Sequence, residues 1–127
     1  MHIISTDDAP KPVGPYSSGV EADGFVFTAG QVGRDPVSGE LAQGLEAQAR
    51  QALMNTEAVL KAAGLTFHDV VKVTIYVTDI GQFSKINEIY GRALGDARPA
   101  RSVIGVAALP LGSAIEIDAI AARGTPA

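Results

Sequence analysis

Two opposite charges stand out near the end of the chain, in RPARSVIGVAALPLGSAIEIDAIA over residues 98–121. Arg101 enters an apolar segment directly after Pro99-Ala100, and Glu116 sits between Ile115 and Ile117. A guanidinium presents a planar fork of donors that matches a carboxylate. A carboxylate among isoleucines is costly to bury unless it is paired or put to use, and one such use is as a general base acting on water. Each residue also has a plain structural explanation. Arg101 could be a strand-end cation in a surface ion pair, and Glu116 could pair with it or face solvent. The two fall on one sheet face only if the connecting loop has an even number of residues or a bulge intervenes, because side chains alternate along a strand.

Three further residues fit a small-molecule site. Tyr16, in VGPYSSG, follows a Gly-Pro turn that would hold it on a stiff platform beside a ligand; an ordinary half-buried Tyr is the alternative. Gly30, in FTAGQVG, could let a ligand approach the backbone, or could mark a β-bulge. Asn87 lies between Phe83 and Tyr90 near the apolar stripe of a helix and must find partners, either in a neighbouring loop or in a pocket. Lys72 reads as an interface or snorkelling lysine. His2 and His68 lack Asp or Cys neighbours at metal-ligand spacing, and the chain has no phosphate-binding glycine motif, so no metal or nucleotide cofactor is expected.

These residues need a scaffold of 127 residues, enough for a single domain over 1–127. Apolar residues make up 46 % of the chain, so a substantial core can form. The net charge of −4 and the isoelectric point near 5.0 argue against nucleic acid as a partner. With zero cysteines there is no disulfide or thiolate chemistry. The opening MHIISTDDAP does not resemble a signal peptide, and no apolar run reaches the length of about 18 residues needed for a membrane span. A soluble, cytoplasmic protein is the expectation, with no membrane partner and with a short frayed tail, RGTPA.

The elements follow from periodicity. Asp23-Gly24 between two strand-like runs signals a hairpin. LEAQARQALMNTEAVLKAAG is a helix with Leu45, Ala49, Ala52, Leu53, Thr56, Leu60 and Ala63 on one stripe; Glu46–Arg50 and Glu57–Lys61 are spaced as ion pairs, and Gly64 is its stop. DVVKVTIYVTDI is a strand with Val71, Val73, Ile75 and Val77 on one face and Val70, Lys72, Thr74 and Tyr76 on the other. GQFSKINEIYGRALG is a second helix, Asp79 its candidate cap, with Phe83, Ile86, Tyr90 and Ala93 inward. Strands over roughly Arg101–Ala107 and Ala114–Ala121 complete a β-β-α-β-α-β-β order, an α/β (α+β) fold with a mixed sheet and both helices on one face. Ile115, Ile117, Ala119 and Ala121 suit the covered face. The opposite face, with Ala114, Glu116, Asp118 and Ile120, is too apolar for open solvent and reads as a subunit interface.

With these motifs assembled, the chain resembles the RidA (YjgF-type) family of reactive-intermediate deaminases. GPYSSG, FTAGQVG, the helix ending KAAG, VVKVTIYVTDI, FSKINEIY and PARSVIGVAALPLGSAIEIDAIA run in family order over nearly the whole chain. The resemblance implies a chorismate-mutase-like fold and a homotrimer around a central barrel-like core, with clefts between subunits. It implies hydrolysis of 2-imino acids, such as 2-iminopropanoate and 2-iminobutanoate, to 2-keto acids and ammonia, without a cofactor. By the same resemblance Arg101 would hold the substrate carboxylate and Glu116 the attacking water. Tyr16, Gly30 and Asn87 would bind substrate. Two departures accompany the match: Ala29 stands where many of the deaminases carry Ser, and Val103 where some relatives carry a cysteine. The loss of the hydroxyl leaves a non-enzymatic keto-acid-binding or regulatory protein on the same scaffold as the competing expectation.

Overall fold

The computed structural model describes residues 1–124. Their strands are β1 (His2–Ile4), β2 (Gly19–Ala22), β3 (Phe25–Thr28), β4 (Gln31–Val32), β5 (Val70–Val77), β6 (Ala100–Gly105) and β7 (Ile115–Ala122). The helices are α1 (Leu45–Ala62) and α2 (Phe83–Leu94). The strands form one sheet in the order β1-β2-β3-β7-β5-β6, with β4 pairing on β7 beside β3. Only β5 and β6 run parallel among the described pairs; α2 is their crossover. The expected mixed sheet with two helices is therefore present, with β1 and β4 added to the expected order.

β7 is the centre of the sheet. Ile115, Ile117, Ala119 and Ala121 are buried beneath the helices together with Val73, Ile75 and Val77 of β5 and Ala49, Ala52, Leu53, Val59 and Leu60 of α1. The small alanines of α1 let the helix approach the sheet closely. The Asp23-Gly24 hairpin forms as expected, with both residues at positive φ (53° and 80°) between Ala22 and Phe25.

Four sequence expectations are corrected. In β5 the register shifts between Val70 and Lys72, so Val70 turns inward and Val71 outward; the bulge reverses the alternation expected for those two residues. In α2 the buried residues are Ile86, Ile89 and Leu94, while Phe83 and Ala93 are exposed. Glu46 pairs with Lys85 across the helices at 3.5 Å in place of Arg50, whereas Glu57–Lys61 forms at 3.7 Å. Arg123 is not frayed: its guanidinium donates to both carboxylate oxygens of Glu21 at 3.0 and 2.7 Å and to the Ala63 carbonyl at 2.9 Å. Residues 125–127 of the expected frayed tail lie outside the described residues.

Two polar residues on the inner face of α1 tie it to the loops around the sheet centre. Gln48 donates to the Ala42 carbonyl at 3.0 Å and accepts from the Ala114 amide at 2.7 Å, just ahead of β7. Asn55, fully buried, donates to the carbonyls of Val32 at 3.1 Å and Arg34 at 2.8 Å, and accepts from Gln51 at 2.8 Å. Buried amides must be satisfied, and these two hold β4 and the start of β7 in place. Glu116 lies one residue into that strand.

Candidate active site

Glu116 faces away from the helices. On β7 it stands opposite Tyr76 of β5 on one side and Val32 of β4 on the other. Beside it on the same face is Asp118, whose carboxyl lies near enough to the Tyr76 hydroxyl to be lowered by it. Burial, and then the neighbouring Asp118 charge, push the Glu116 carboxyl above its ordinary value. Burial raises Asp118 as well, against the lowering effect of Tyr76.

Gly30 lies against Glu116 because of a bulge. Phe27 pairs with Ile120 but Gln31 pairs with Ile117, so three residues (28–30) oppose two (118–119). Thr28 covers the irregularity by accepting from the Ala119 amide at 3.0 Å. A Cβ on Gly30 would collide with the Glu116 carboxylate, its carboxyl carbon lying 2.8 Å away. Of the two readings of Gly30 the bulge is present, and the group that approaches its backbone is the Glu116 side chain.

Around this pair opens a cavity of about 470 Å³ lined by Tyr16, Ala29, Gly30, Arg34, Leu111 and Glu116, among others. The Tyr16 hydroxyl accepts from the Val13 amide at 3.3 Å, which fixes the ring at the rim. Leu111 holds a left-handed backbone (φ 62°) between Pro110 and Gly112, an uncommon state for a leucine. Three of the five residues expected at the site, Tyr16, Gly30 and Glu116, thus share one cavity.

Arg101 and Asn87 are elsewhere. Arg101 pairs in register with Val73 on the edge strand β6, so it points to the helix side. Glu116 pairs with Tyr76, on the other side. Within one protomer the two charged groups lie on opposite faces, with β5 between their strands. Arg101 is not among the causes that shift Glu116, as that separation requires. The guanidinium carbon sits 5.5 Å from the ring centre of Phe83 and 4.8 Å from that of Tyr90. Asn87 is exposed on α2, one turn from each of those rings. Burial raises the Tyr90 phenol, opposed by Arg101 and then Arg98. Lys72 donates to Ser102 at 2.8 Å on the open face.

Sequence reasoning passed over Asp118 and Tyr76 as partners of Glu116, and Phe83 and Tyr90 as partners of Arg101. Spacing alone could have found Asp118, two residues along one strand face. Among the described residues no three His, Cys, Asp or Glu side chains are grouped to hold a metal, and no helix is long and apolar enough to cross a membrane.

Comparison with known proteins adds three findings. The sequence model of the family described as endoribonuclease L-PSP matches residues 6–123. The chain is 47 % identical over 123 residues to the 2-iminobutanoate/2-iminopropanoate deaminase of Homo sapiens, covering 96 % of this chain and 90 % of the relative; it is 47 % identical over 120 residues to a RutC family protein of Pyrococcus horikoshii, covering 94 % and 95 %. Among solved structures, E. coli TdcF with bound serine superposes with a TM-score of 0.94 at 40 % identity, covering 98 % of this chain and 100 % of that one.

Proposed function

Because this chain belongs to the endoribonuclease L-PSP family, also known as the RidA/YjgF family, we propose that it hydrolyses reactive 2-imino acids to 2-keto acids and ammonia at a site shared by two protomers. The observation that carries this reading is the cavity in which Glu116, its carboxyl raised above its ordinary value by burial and then by Asp118, meets Gly30 and Tyr16. A poised base beside a water-accessible hollow suits proton abstraction. That the similar TdcF binds serine, an amino acid with a carboxylate, supports a substrate of that shape.

Arg101 holds the carboxylate of 2-iminopropanoate or 2-iminobutanoate with its fork. Glu116 takes a proton from water as the oxygen attacks C2 and the C=N π electrons move to nitrogen, which is protonated. The carbinolamine then expels ammonia as its C–N bond breaks, and its hydroxyl proton leaves to give the keto acid. Water is the only co-reactant.

Since Arg101 and Glu116 occupy opposite faces of one sheet, a second copy supplies one of them. The open face favours such an assembly: Ile3, Phe25, Phe27 and Ile104 lie on it and are 42–58 % exposed in the protomer. Two different patches meeting make a heterologous contact, which closes into a ring; a homotrimer with clefts between subunits is the proposed form. Asn87, on the helix stripe with the residues that stack on Arg101, enters the same cleft.

A coupled assay tests the reading. Threonine dehydratase generates the imine, semicarbazide traps it, and the protein is added or withheld. Faster release of 2-ketobutyrate is expected. No acceleration, with keto acid still bound, would favour a binding or regulatory role; Ala29, whose methyl lines the cavity without a hydroxyl to contact substrate, is the observation on that side.

A further inference from the structure

Arg101 stands on an edge strand, with a neighbour in the sheet on one side only, β5. An arginine there has three flexible carbons and few fixed contacts, yet a carboxylate clamp needs its fork at one angle. The described residues give Arg101 no salt bridge and no side-chain hydrogen bond to set that angle. What surrounds the guanidinium is aromatic: Phe83 at the start of α2 and Tyr90 two turns later, with ring centres 5.5 and 4.8 Å from the guanidinium carbon.

We infer that Phe83 and Tyr90 are positioning residues that hold the Arg101 fork by stacking, leaving its N–H donors unspent and available to a carboxylate. A carboxylate partner such as Asp or Glu would also fix an arginine, but it would occupy the fork and neutralise the charge. Aromatic faces attract the cation without consuming donors. The two rings lie about two turns apart along a single helix, so α2 sets both together.

Tyr90 acts through its ring. Its hydroxyl is buried and has no hydrogen-bond partner among the described residues. A phenylalanine at 90 would therefore lose no bond, and would remove an unsatisfied buried group. The same position with an aliphatic residue would keep the apolar volume and lose the π face.

This inference rests on Arg101 being the carboxylate clamp, and the test separates the two. Pyruvate affinity by calorimetry and steady-state imine hydrolysis are measured for Arg101→Ala, Phe83→Leu, Tyr90→Leu and Tyr90→Phe. The leucine variants should each raise the pyruvate Kd and the KM by about five- to thirtyfold, the range of a cation–π contact of one to two kcal/mol, with kcat nearly unchanged. Tyr90→Phe should match the parent in Kd and gain thermal stability. If Arg101→Ala abolishes pyruvate binding while both leucine variants bind as the parent does, the positioning role is overturned and the clamp stands. If Arg101→Ala binds pyruvate normally, the clamp itself fails. A loss in Tyr90→Phe equal to that in Tyr90→Leu would assign the effect to the hydroxyl and overturn the stacking account. Should a leucine variant fail to fold, the Arg101 Nε–H proton shift in the unsubstituted protein decides: ring currents place it upfield, and a random-coil value would contradict stacking.

Discussion

Gly30 lies so close to Glu116 that a single added methyl would occupy the space of the carboxylate. Its backbone φ is not positive, so glycine is required there for clearance and not for conformation. Gly30→Ala should displace Glu116, lower kcat/KM by at least tenfold, and cost about 1–3 kcal/mol of stability through overpacking. Denaturant titration beside the imine assay checks both. A fully active Gly30→Ala would mean that the Glu116 position is immaterial to turnover.

The Glu116 carboxyl is raised by burial and then by Asp118, so the acid limb of the pH–rate profile should lie above its ordinary value of 4.5. Asp118→Asn removes the second cause and should move that limb to lower pH. Glu116→Gln should reduce kcat by about 10²–10⁴-fold on the plateau above that limb and abolish the limb itself. Profiles of kcat/KM for the three proteins read this directly.

The same two carboxyls shape stability. Each binds its proton more tightly folded than unfolded, so their stabilising effect is complete below the unfolded carboxylate value and declines as pH rises through the raised folded one. Asp118→Asn should therefore raise Tm at neutral pH, and the gain should vanish at about pH 3–4, where the unfolded carboxyls are protonated. Calorimetry at several pH values measures it.

Asn55 holds β4 through the Val32 and Arg34 carbonyls. Asn55→Ala leaves those buried carbonyls without donors and should cost about 1–3 kcal/mol per unsatisfied group. Since β4 borders Glu116, catalysis should weaken too. Asn55→Ala with parental activity and stability would show that the tie is dispensable.

Much of this was legible in residue order. The two faces of β7 follow from its alternation, and Asp23-Gly24 and Gly64 mark their turns. Other features rest on contacts far apart in sequence. β1 and β4, with three and two residues, are too short to show a period. The bulge at Val71 and the one at Ala29–Gly30 change side-chain direction by inserting one residue, which composition does not register. Gln48 and Asn55 recur seven apart on the helix stripe, but polar residues on a stripe identify neither their partners nor the loop they hold. Whether Arg101 shares a face with Glu116 depended on how β6 pairs with β5, and that pairing put Arg101 opposite Val73. The residue types at the site and a subunit interface on the open face were readable in the sequence, while the placement of Arg101 and Glu116 on opposite faces came only from register.

Subunit complementation tests that need most directly. Arg101→Ala and Glu116→Gln are each expected to be inactive alone. Unfolded together in equal amounts and refolded, they should form mixed rings in which about a quarter of the sites receive an intact Arg101 from one chain and an intact Glu116 from the next. Activity should return to about that fraction of the parent's. A mixed preparation no more active than either variant by itself would contradict a catalytic site built by two protomers.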